Sequence, residues 1–365
     1  VPVPAARTRP PLPDGVTGQL TLTFIGDIMA HRPNYLMPDY NRIYDAVRNA
    51  FLSDDLTFAN LEFPVDPSRP YSTYPHFNVH PEYVRAAVRA GVDVFSLANN
   101  HATDQEAEGV SETLSSLGNL VEIYAERGGA VAGRPRRLYF SGLRPAHVTQ
   151  YSATLIRRDG WRIGFIALTQ FVNDPHPGDG SAQVNVLDYR NRAAAERFLR
   201  WVRLVSSNYD LFVISYHGGV EYQTRPDPQK VAFFEALLQR GCDIVWAHHP
   251  HVLQPWHTVW LPDGRRGLIL YSTGNFISGQ TWFLTPEDHD ARRAFTGDTA
   301  LFKVTVTTSG TRGSVTDVET TLLAAYRDPA DGIVVRPLAE LAREDESEWG
   351  GYYRERLAAM KRLVQ

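Results

Sequence analysis

Cysteine is almost missing from this 365-residue chain. Cys242 stands alone, so no internal disulfide and no thiolate cluster for zinc can form. It falls in the strand-like run Cys242-Asp243-Ile244-Val245-Trp246 and reads as a buried, inert thiol. Lysine is nearly as scarce, three of the 37 basic residues. The arginines that replace it are scattered, which points to a G+C-rich genome more than to a function. A formal net charge of -4 gives no call for nucleic acid as a partner. No apolar run approaches the ~20 residues of a membrane helix. Gly-x-Ser-x-Gly, a Walker loop and a dinucleotide fingerprint are all absent, which removes support for a serine hydrolase or a nucleotide-driven enzyme. The histidine pairs lack the i, i+4 spacing of a zincin, and no His-Glu-x-x-His occurs.

What is present is a long succession of strands and helices. The stretch from Val1 to Gly15 is rich in proline and arginine and begins without methionine. It reads as a tether, consistent with a leader or anchor that has been removed. Leu20 to Ile25, Leu56 to Ala59 and Val92 to Leu97 read as buried strands. Helical spacing over Ile43 to Phe51, a Pro81-to-Ala90 helix and a Glu106-to-Leu117 helix stopped by Gly118 alternate with them. Such alternation argues for parallel pairing. From Ser152 the pattern changes to hairpins, with Asp159-Gly160 and Asp263-Gly264 as turns and a third over Phe302 to Thr307 and Ser314 to Leu322. Strands from Leu211 to Ser215 and Ile244 to Trp246 alternate with helices over Ala193 to Val205 and Gln229 to Gln239. Two sheets with helices outside predict an α/β, four-layer α/β/β/α sandwich. The expected organisation is a tether over 1–17, one domain over 18–330 and a helical extension over 331–365.

Polar clusters follow the strands: Gly26-Asp27, Asn60-Leu61-Glu62, Asn99-Asn100-His101, Tyr216-His217-Gly218-Gly219 and His248-His249-Pro250-His251. In open α/β sheets ligands gather outside the carboxyl ends of strands. Carboxylates, amides and neutral imidazoles arriving there together suit a divalent metal. Asp27 also reads as a turn cap, and His31 as either a second ligand or an exposed loop residue. Glu62 has two oxygens, which suits a bridge between two cations. His101 could protonate a leaving group, with Asp104 three residues on to orient it. Gly218 and Gly219 allow close approach of backbone beside His217, and Glu221 and Tyr222 follow as substrate or bracing groups. Pro250 stiffens the loop so that His249 and His251 can reach one site.

Taken in order, these runs resemble the CapA family of poly-γ-glutamate capsule biosynthesis proteins, within the calcineurin-like metallophosphoesterase superfamily. The resemblance rests on Phe24-Ile25-Gly26-Asp27-Ile28-Met29, Ala59-Asn60-Leu61-Glu62 and Ser96-Leu97-Ala98-Asn99-Asn100-His101-Ala102-Thr103-Asp104. It continues through Tyr216-His217-Gly218-Gly219-Val220-Glu221-Tyr222, His249-Pro250-His251-Val252 and Tyr271-Ser272-Thr273-Gly274-Asn275-Phe276. Gly218 stands where the family has tryptophan, and Ala247 where it has glycine. Met29 ends the run that in the parent phosphoesterases reads Asp-x-His, which puts one ligand of a two-metal site in doubt. The segment from Asn119 to Gln150 departs from the family and is expected to be an insertion shaping the pocket.

The resemblance implies a calcineurin-like fold and a metal set of Asp27, Glu62, Asn100, His217, His249 and His251, with Glu62 bridging. It implies His101 as the acid, supported by Asp104, a metal-activated water as nucleophile, and Glu221 and Asn275 as substrate contacts. One or two divalent ions are expected, with manganese, zinc, iron, magnesium and calcium all open. The implied role is a metal-dependent hydrolase of bacterial capsule or envelope polymer biosynthesis, placed outside the cytoplasm, although a cytoplasmic site stays open. Its substrate would be an anionic polymer or phosphoester, and its partners other capsule-synthesis membrane proteins. A metal-assisted peptide epimerase on the same scaffold and a non-catalytic polymer-binding factor remain as alternatives.

Overall fold

Alternation along the strands assigns each buried side chain to one of the sandwich's apolar layers. The structure is a computed structural model that describes residues 18–126, 130–131, 134–176, 178–330, 332–344 and 349–364. The tether expected over 1–17 lies outside the described residues. The first sheet holds β1 (Gln19–Ile28), β2 (Leu56–Leu61), β3 (Val94–Ser96) and β4 (Tyr139–Ser141), all parallel. The second sheet begins with the hairpin β5 (Thr154–Arg158) and β6 (Trp161–Thr169), turned at Asp159 and Gly160, both with positive φ. Next come β7 (Leu211–His217), β8 (Ile244–His248), and the hairpin β9 (Trp256–Trp260) and β10 (Arg266–Leu270). Strands β6, β7, β8 and β10 run parallel.

The chain then returns to the first sheet. The short β11 (Asn275–Ile277) pairs with the end of β1. The long hairpin β12 (Asp298–Ser309) and β13 (Arg312–Asp328) and the edge strand β14 (Gly332–Pro337) extend the sheet beyond β1. The extension expected to be helical therefore holds, from Gly332, a strand hydrogen-bonded to β13 ahead of its terminal helix over Gly350–Val364.

In the second sheet Ile163, Phe165, Val213, Ile244, Trp246 and Leu268 face the first sheet. Their neighbours Ile166, Phe212, Ile214, Val245 and Ile269 face outward. That period of two defines a strand buried on both sides. Phe24, Phe58, Phe165 and Trp246 interlock across the inner layer, with Phe24–Phe58 centroids 4.7 Å apart. The indole N–H of Trp246 also crosses to the Ile25 carbonyl at 3.1 Å. The outer faces are covered by α1 (Pro81–Ala90) and α2 (Glu106–Glu126) on one sheet and by α3 (Arg192–Val205) and α4 (Pro228–Gln239) on the other. Four layers result. Cys242 is buried and its thiol donates to the Ile244 carbonyl at 3.1 Å.

Two local expectations fail for physical reasons. Gly118 does not stop α2, because Leu117 and Leu120 carry the buried face past it and no left-handed residue is required there. The helix expected over Ile43 to Phe51 is broken into a 3-10 turn (Tyr40–Tyr44) and a short helix (Arg48–Ser53).

Candidate metal centre and the cavity beside it

The carboxyl ends of β1, β2, β7 and β8 deliver their polar residues to one place. At β1, the Asp27 N–H donates to the Gly274 carbonyl at 3.0 Å. A Cβ on Gly26 would lie 1.9 Å from that carbonyl oxygen, so only glycine lets β1 come this close to the 272–276 loop. Asp27 and Glu62 are fully buried. Asp27 Oδ1 accepts from Asn60 Nδ2 at 2.8 Å and lies 3.2 Å from His248 Nδ1. Asp27 Oδ2 and both Glu62 oxygens have no hydrogen-bond donor. His251 stands between them, with Nδ1 3.7 Å from Asp27 Oδ2 and Nε2 3.7 Å from Glu62 Oε1. His217 Nε2 is 3.6 Å from Glu62 Oε1 and 2.7 Å from Asn100 Oδ1. His249 lies edge-on to His217, with ring centroids 5.0 Å apart.

Thus the structure brings together Asp27, Glu62, Asn100, His217, His249 and His251, residues from five segments of the chain. Asp27, Glu62 and His251 offer donor atoms within 4.8 Å of one another, and so do Glu221, His249 and His251. Ionised carboxylates buried without donors cost several kcal/mol each, on the order of a lost charged hydrogen bond or more. A divalent cation would satisfy those orphaned oxygens, and the mixture of carboxylate, amide and imidazole donors fits one.

Electrostatics point the same way. Burial drives the Glu62 carboxyl well above its usual range, and the charges of Asp27, Glu221 and Asp104 add to this. Burial also opposes ionisation of Asp27, but the hydrogen bond and charge of His248, with help from His251 and Asn60, outweigh it and hold Asp27 low. Burial pushes the His217 and His249 imidazoles well below their usual range; the charges of His249, His248 and His251 add to this for His217, and those of His251 and Lys230 for His249. They stay neutral at physiological pH, the form that binds metal.

His249 and His251 both adopt positive φ, 93° and 58°. Strain of this kind costs roughly 1–3 kcal/mol per residue and gathers at functional loops. The His251 tautomer is set by Asn275. The Asn275 amide nitrogen donates to Ser278 Oγ, Gln280 Oε1 and the Thr296 carbonyl, so its oxygen is the group 2.9 Å from His251 Nδ1. His251 Nδ1 must carry the proton, leaving the Nε2 lone pair toward Glu62. Asn275 was expected to touch substrate. It is instead buried with its amide saturated, and it supports His251.

Beside the donors lies a cavity of about 300 Å³, lined by His31, Tyr74, His101, Glu221, His251 and Arg293 among others. His101 Nδ1 is 2.7 Å from Asp104 Oδ2, which also accepts the Phe77 N–H at 2.7 Å. Burial raises the Asp104 carboxyl, against the opposing pull of His101. Glu221 is exposed in the cavity wall. His31 is half-buried and accepts the Gly279 N–H on Nδ1. Burial, followed by His251, His101 and Arg293, lowers its imidazole to about 3. Among the described residues, the segment from Asn119 to Gln150 contributes no lining residue to this cavity, contrary to expectation; besides the strand-end loops, the walls come from Tyr74 and from Gly279, Gln280, Phe283 and Arg293.

Four participants were not singled out from sequence. Asn60 and His248 orient Asp27, and both sit inside motifs already visible. Asn173 joins the two halves of the site: it accepts from Asn100 Nδ2 at 3.2 Å and lies 3.4 Å from His101 Nδ1. Its place just past the end of β6 was the available signal. Lys230, on α4, is fully buried and donates to the Gly218 and Tyr271 carbonyls at 2.9 and 2.8 Å. Burial lowers its ammonium to about 7. The lysine thereby clamps the loop after His217 to the strand end that leads to Asn275. Lys230→Met should lower stability by about 1–3 kcal/mol by leaving two carbonyls unpaired and should weaken metal binding. Denaturant melts and a metal titration on the same sample check this.

A two-sheet α/β scaffold that gathers buried carboxylate, amide and imidazole donors at its strand ends defines an α/β sandwich protein with a candidate metal centre. A family model described as bacterial capsule synthesis protein PGA_cap matches residues 21–280. The chain belongs to that family. The capsule biosynthesis protein CapA of Bacillus anthracis is 30% identical over 281 residues, covering 74% of this chain and 62% of the relative. The PGA biosynthesis protein CapA of Bacillus subtilis (strain 168) is 26% identical over 272 residues, covering 73% and 65%. The chain therefore spans less than two thirds of the length of these curated relatives. Among solved structures, the calcineurin-like phosphoesterase YfkN from Bacillus subtilis aligns with a TM-score of 0.42 at 10% identity, covering 94% of this chain and 97% of that one.

Proposed function

We propose that this chain is a divalent-metal-dependent hydrolase of phosphoester bonds that serves the biosynthesis of an anionic capsule or envelope polymer. One observation carries the chemical half: three carboxylate oxygens, from Asp27 and Glu62, are buried without donors among imidazoles. Family membership and the printed names of the relatives support the biological half. Asp27, Glu62, Asn100, His217, His249 and His251 would hold the metal, and Glu221 is placed to join His249 and His251. A bound divalent ion would supply Lewis-acid polarisation of a phosphoryl oxygen and an activated water.

The chain's own residues do the rest. His248 and Asn60 turn Asp27 so that Oδ2 stays free, and Asn275 keeps the His251 Nε2 lone pair exposed to Glu62. His101, on the cavity wall, receives its Nδ1 partner from Asp104, which leaves Nε2 to give a proton to the departing oxygen. Phe77 and Tyr74 pack edge-on against the His101 ring and limit water around it.

Purified protein loaded with manganese should hydrolyse a generic phosphodiester or phosphomonoester. Asp27→Ala should lose bound metal by elemental analysis and lose turnover with it. Full metal occupancy without phosphoester turnover would sink the hydrolase reading. Solvent deuterium entering a peptide without cleavage would favour the epimerase instead. An extracytoplasmic location accompanies the proposed role and is tested by fractionating the producing cells; among the described residues no helix is long and apolar enough to cross a membrane.

A further inference from the structure

We propose that a second pocket, formed by residues 219–230 and Gln254, binds a small oxyanion that keeps an O–H at neutral pH, of the kind of inorganic phosphate or bicarbonate. The pocket measures about 280 Å³ and shares no lining residue with the cavity beside the metal centre. None of the candidate metal donors lines it, so the proposal stands apart from the hydrolase reading.

Three of its side chains ask for a ligand. Lys230, in the first turn of α4, is fully buried, yet its ammonium meets only the Gly218 and Tyr271 carbonyls and, at 5.5 Å, the Phe234 ring. No carboxylate pairs with it among the described residues, and one of its three N–H groups stays without an acceptor. An ammonium taken out of water without a counter-ion is costly, and a bound anion would supply one. Gln254 is 2% exposed. Its Nε2 donates to the Gln223 carbonyl at 2.7 Å, which identifies the other amide atom as oxygen, and that oxygen has no donor. Arg225 is exposed on the pocket wall with no hydrogen bond or ion pair among the described residues.

Asp227 also lines the pocket, but its carboxylate is already engaged. Oδ1 accepts the Gln229 and Lys230 N–H groups, and Oδ2 accepts the Tyr189 hydroxyl at 2.5 Å. Two cations against one engaged carboxylate leave the pocket positive. Gly219, at φ 124°, keeps space beside the ammonium, since a Cβ there would lie 3.2 Å from Lys230 Nζ. The bond from Lys230 to the Gly218 carbonyl places the pocket one residue from His217.

The ligand therefore needs negative charge for Lys230 and Arg225, and a donor for Gln254 Oε1. Sulfate and simple carboxylates are all acceptor at neutral pH and would leave that oxygen orphaned. A phosphate monoester, whose second pKa is about 6, has also lost its proton by then. Inorganic phosphate and bicarbonate keep an O–H across this range and satisfy both sides.

Calorimetric titration at pH 7.5 tests this, on the full chain treated with chelator and dialysed so that no metal takes the anion. Inorganic phosphate, bicarbonate, sulfate, methyl phosphate and glycine are the probes. Phosphate or bicarbonate should bind one to one and at least tenfold more tightly than sulfate or methyl phosphate. Whichever of the two binds more tightly is the anion the pocket takes, and either order supports the site. Arg225→Gln, a change at an exposed residue, should weaken binding about three- to tenfold. Gln254→Met should weaken it by about tenfold or more and erase the preference over sulfate. Failure of both anions to bind would overturn the proposal. So would equal affinity for sulfate, tighter binding of glycine, or phosphate binding that both variants leave unchanged, which would place the anion among the strand-end imidazoles instead.

Discussion

Replacing Glu62 with glutamine should stabilise the metal-free protein and, in the same variant, erase its stabilisation by added metal. Both Glu62 oxygens are buried without a donor, and burial together with Asp27, Glu221 and Asp104 raises its carboxyl well above 4.5. The unfolded chain releases this proton near 4.5, while the metal-free folded chain retains it. Folded stability from this group is therefore fully present below 4.5 and declines as pH rises above it. The loss is between about 1 and 2 kcal/mol per pH unit until the folded carboxyl itself ionises. Glutamine has the same shape and no proton to lose, so the variant should gain about 2 kcal/mol or more near neutral pH. The wild type recovers its deficit when a cation neutralises the site, by about 3 kcal/mol at a hundredfold excess over Kd. Urea melts from pH 5 to 8, with chelator and with manganese, separate the two effects. A Glu62→Gln protein less stable than wild type in chelator at neutral pH would mean that Glu62 is paired within the apoprotein and was not built for a cation.

The donors were legible in the sequence because each follows a strand, and parallel strands end on one edge of their sheet. Period and position alone thus bring Asp27, Glu62, His217 and His249 to a shared region before any distance is known. The groups that orient them were not legible, for a different reason. Lys230 lies on a helix whose pattern reads as ordinary amphipathic packing, and only the tertiary fold shows that its ammonium meets the Gly218 and Tyr271 carbonyls. Asn173 belongs to a loop without periodicity, where contact with Asn100 and His101 depends on the second sheet's placement against the first. Asn275 was located correctly and given the wrong neighbour, since a strand-end amide looks the same whether it meets substrate or a histidine. The part of the cavity wall formed by residues 279–293 has neither strand nor helix pattern for most of its length, whereas the 119–150 segment, expected to shape the pocket, contributes no lining residue among the described residues. Gly118 shows the converse error: a glycine was given a stop role that only a left-handed backbone would require.

His101→Gln should lower kcat on a phosphoester by about 10²- to 10⁴-fold, the usual worth of a positioned proton donor, with metal content unchanged. His101 is the cavity imidazole outside the candidate donor set whose second nitrogen is engaged by a buried carboxylate, at 2.7 Å. Its loss should therefore act on the departure of the leaving group and not on metal uptake. The effect should shrink with leaving-group acidity: a nitrophenolate departs without a proton, whereas an alkoxide needs one. Asp104→Asn sharpens the test. Asp104 Oδ2 accepts both His101 Nδ1–H and the Phe77 N–H. Both bonds end on one oxygen, so an asparagine that keeps the Phe77 bond also keeps the His101 Nδ1–H tautomer and removes only the negative charge beside the ring. kcat for alkyl phosphoesters should fall less than in His101→Gln, with a shifted pH profile, and nitrophenyl esters should be spared. If both variants lose aryl and alkyl substrates equally, His101 is part of the metal-holding machinery and the proton must come from elsewhere in the cavity.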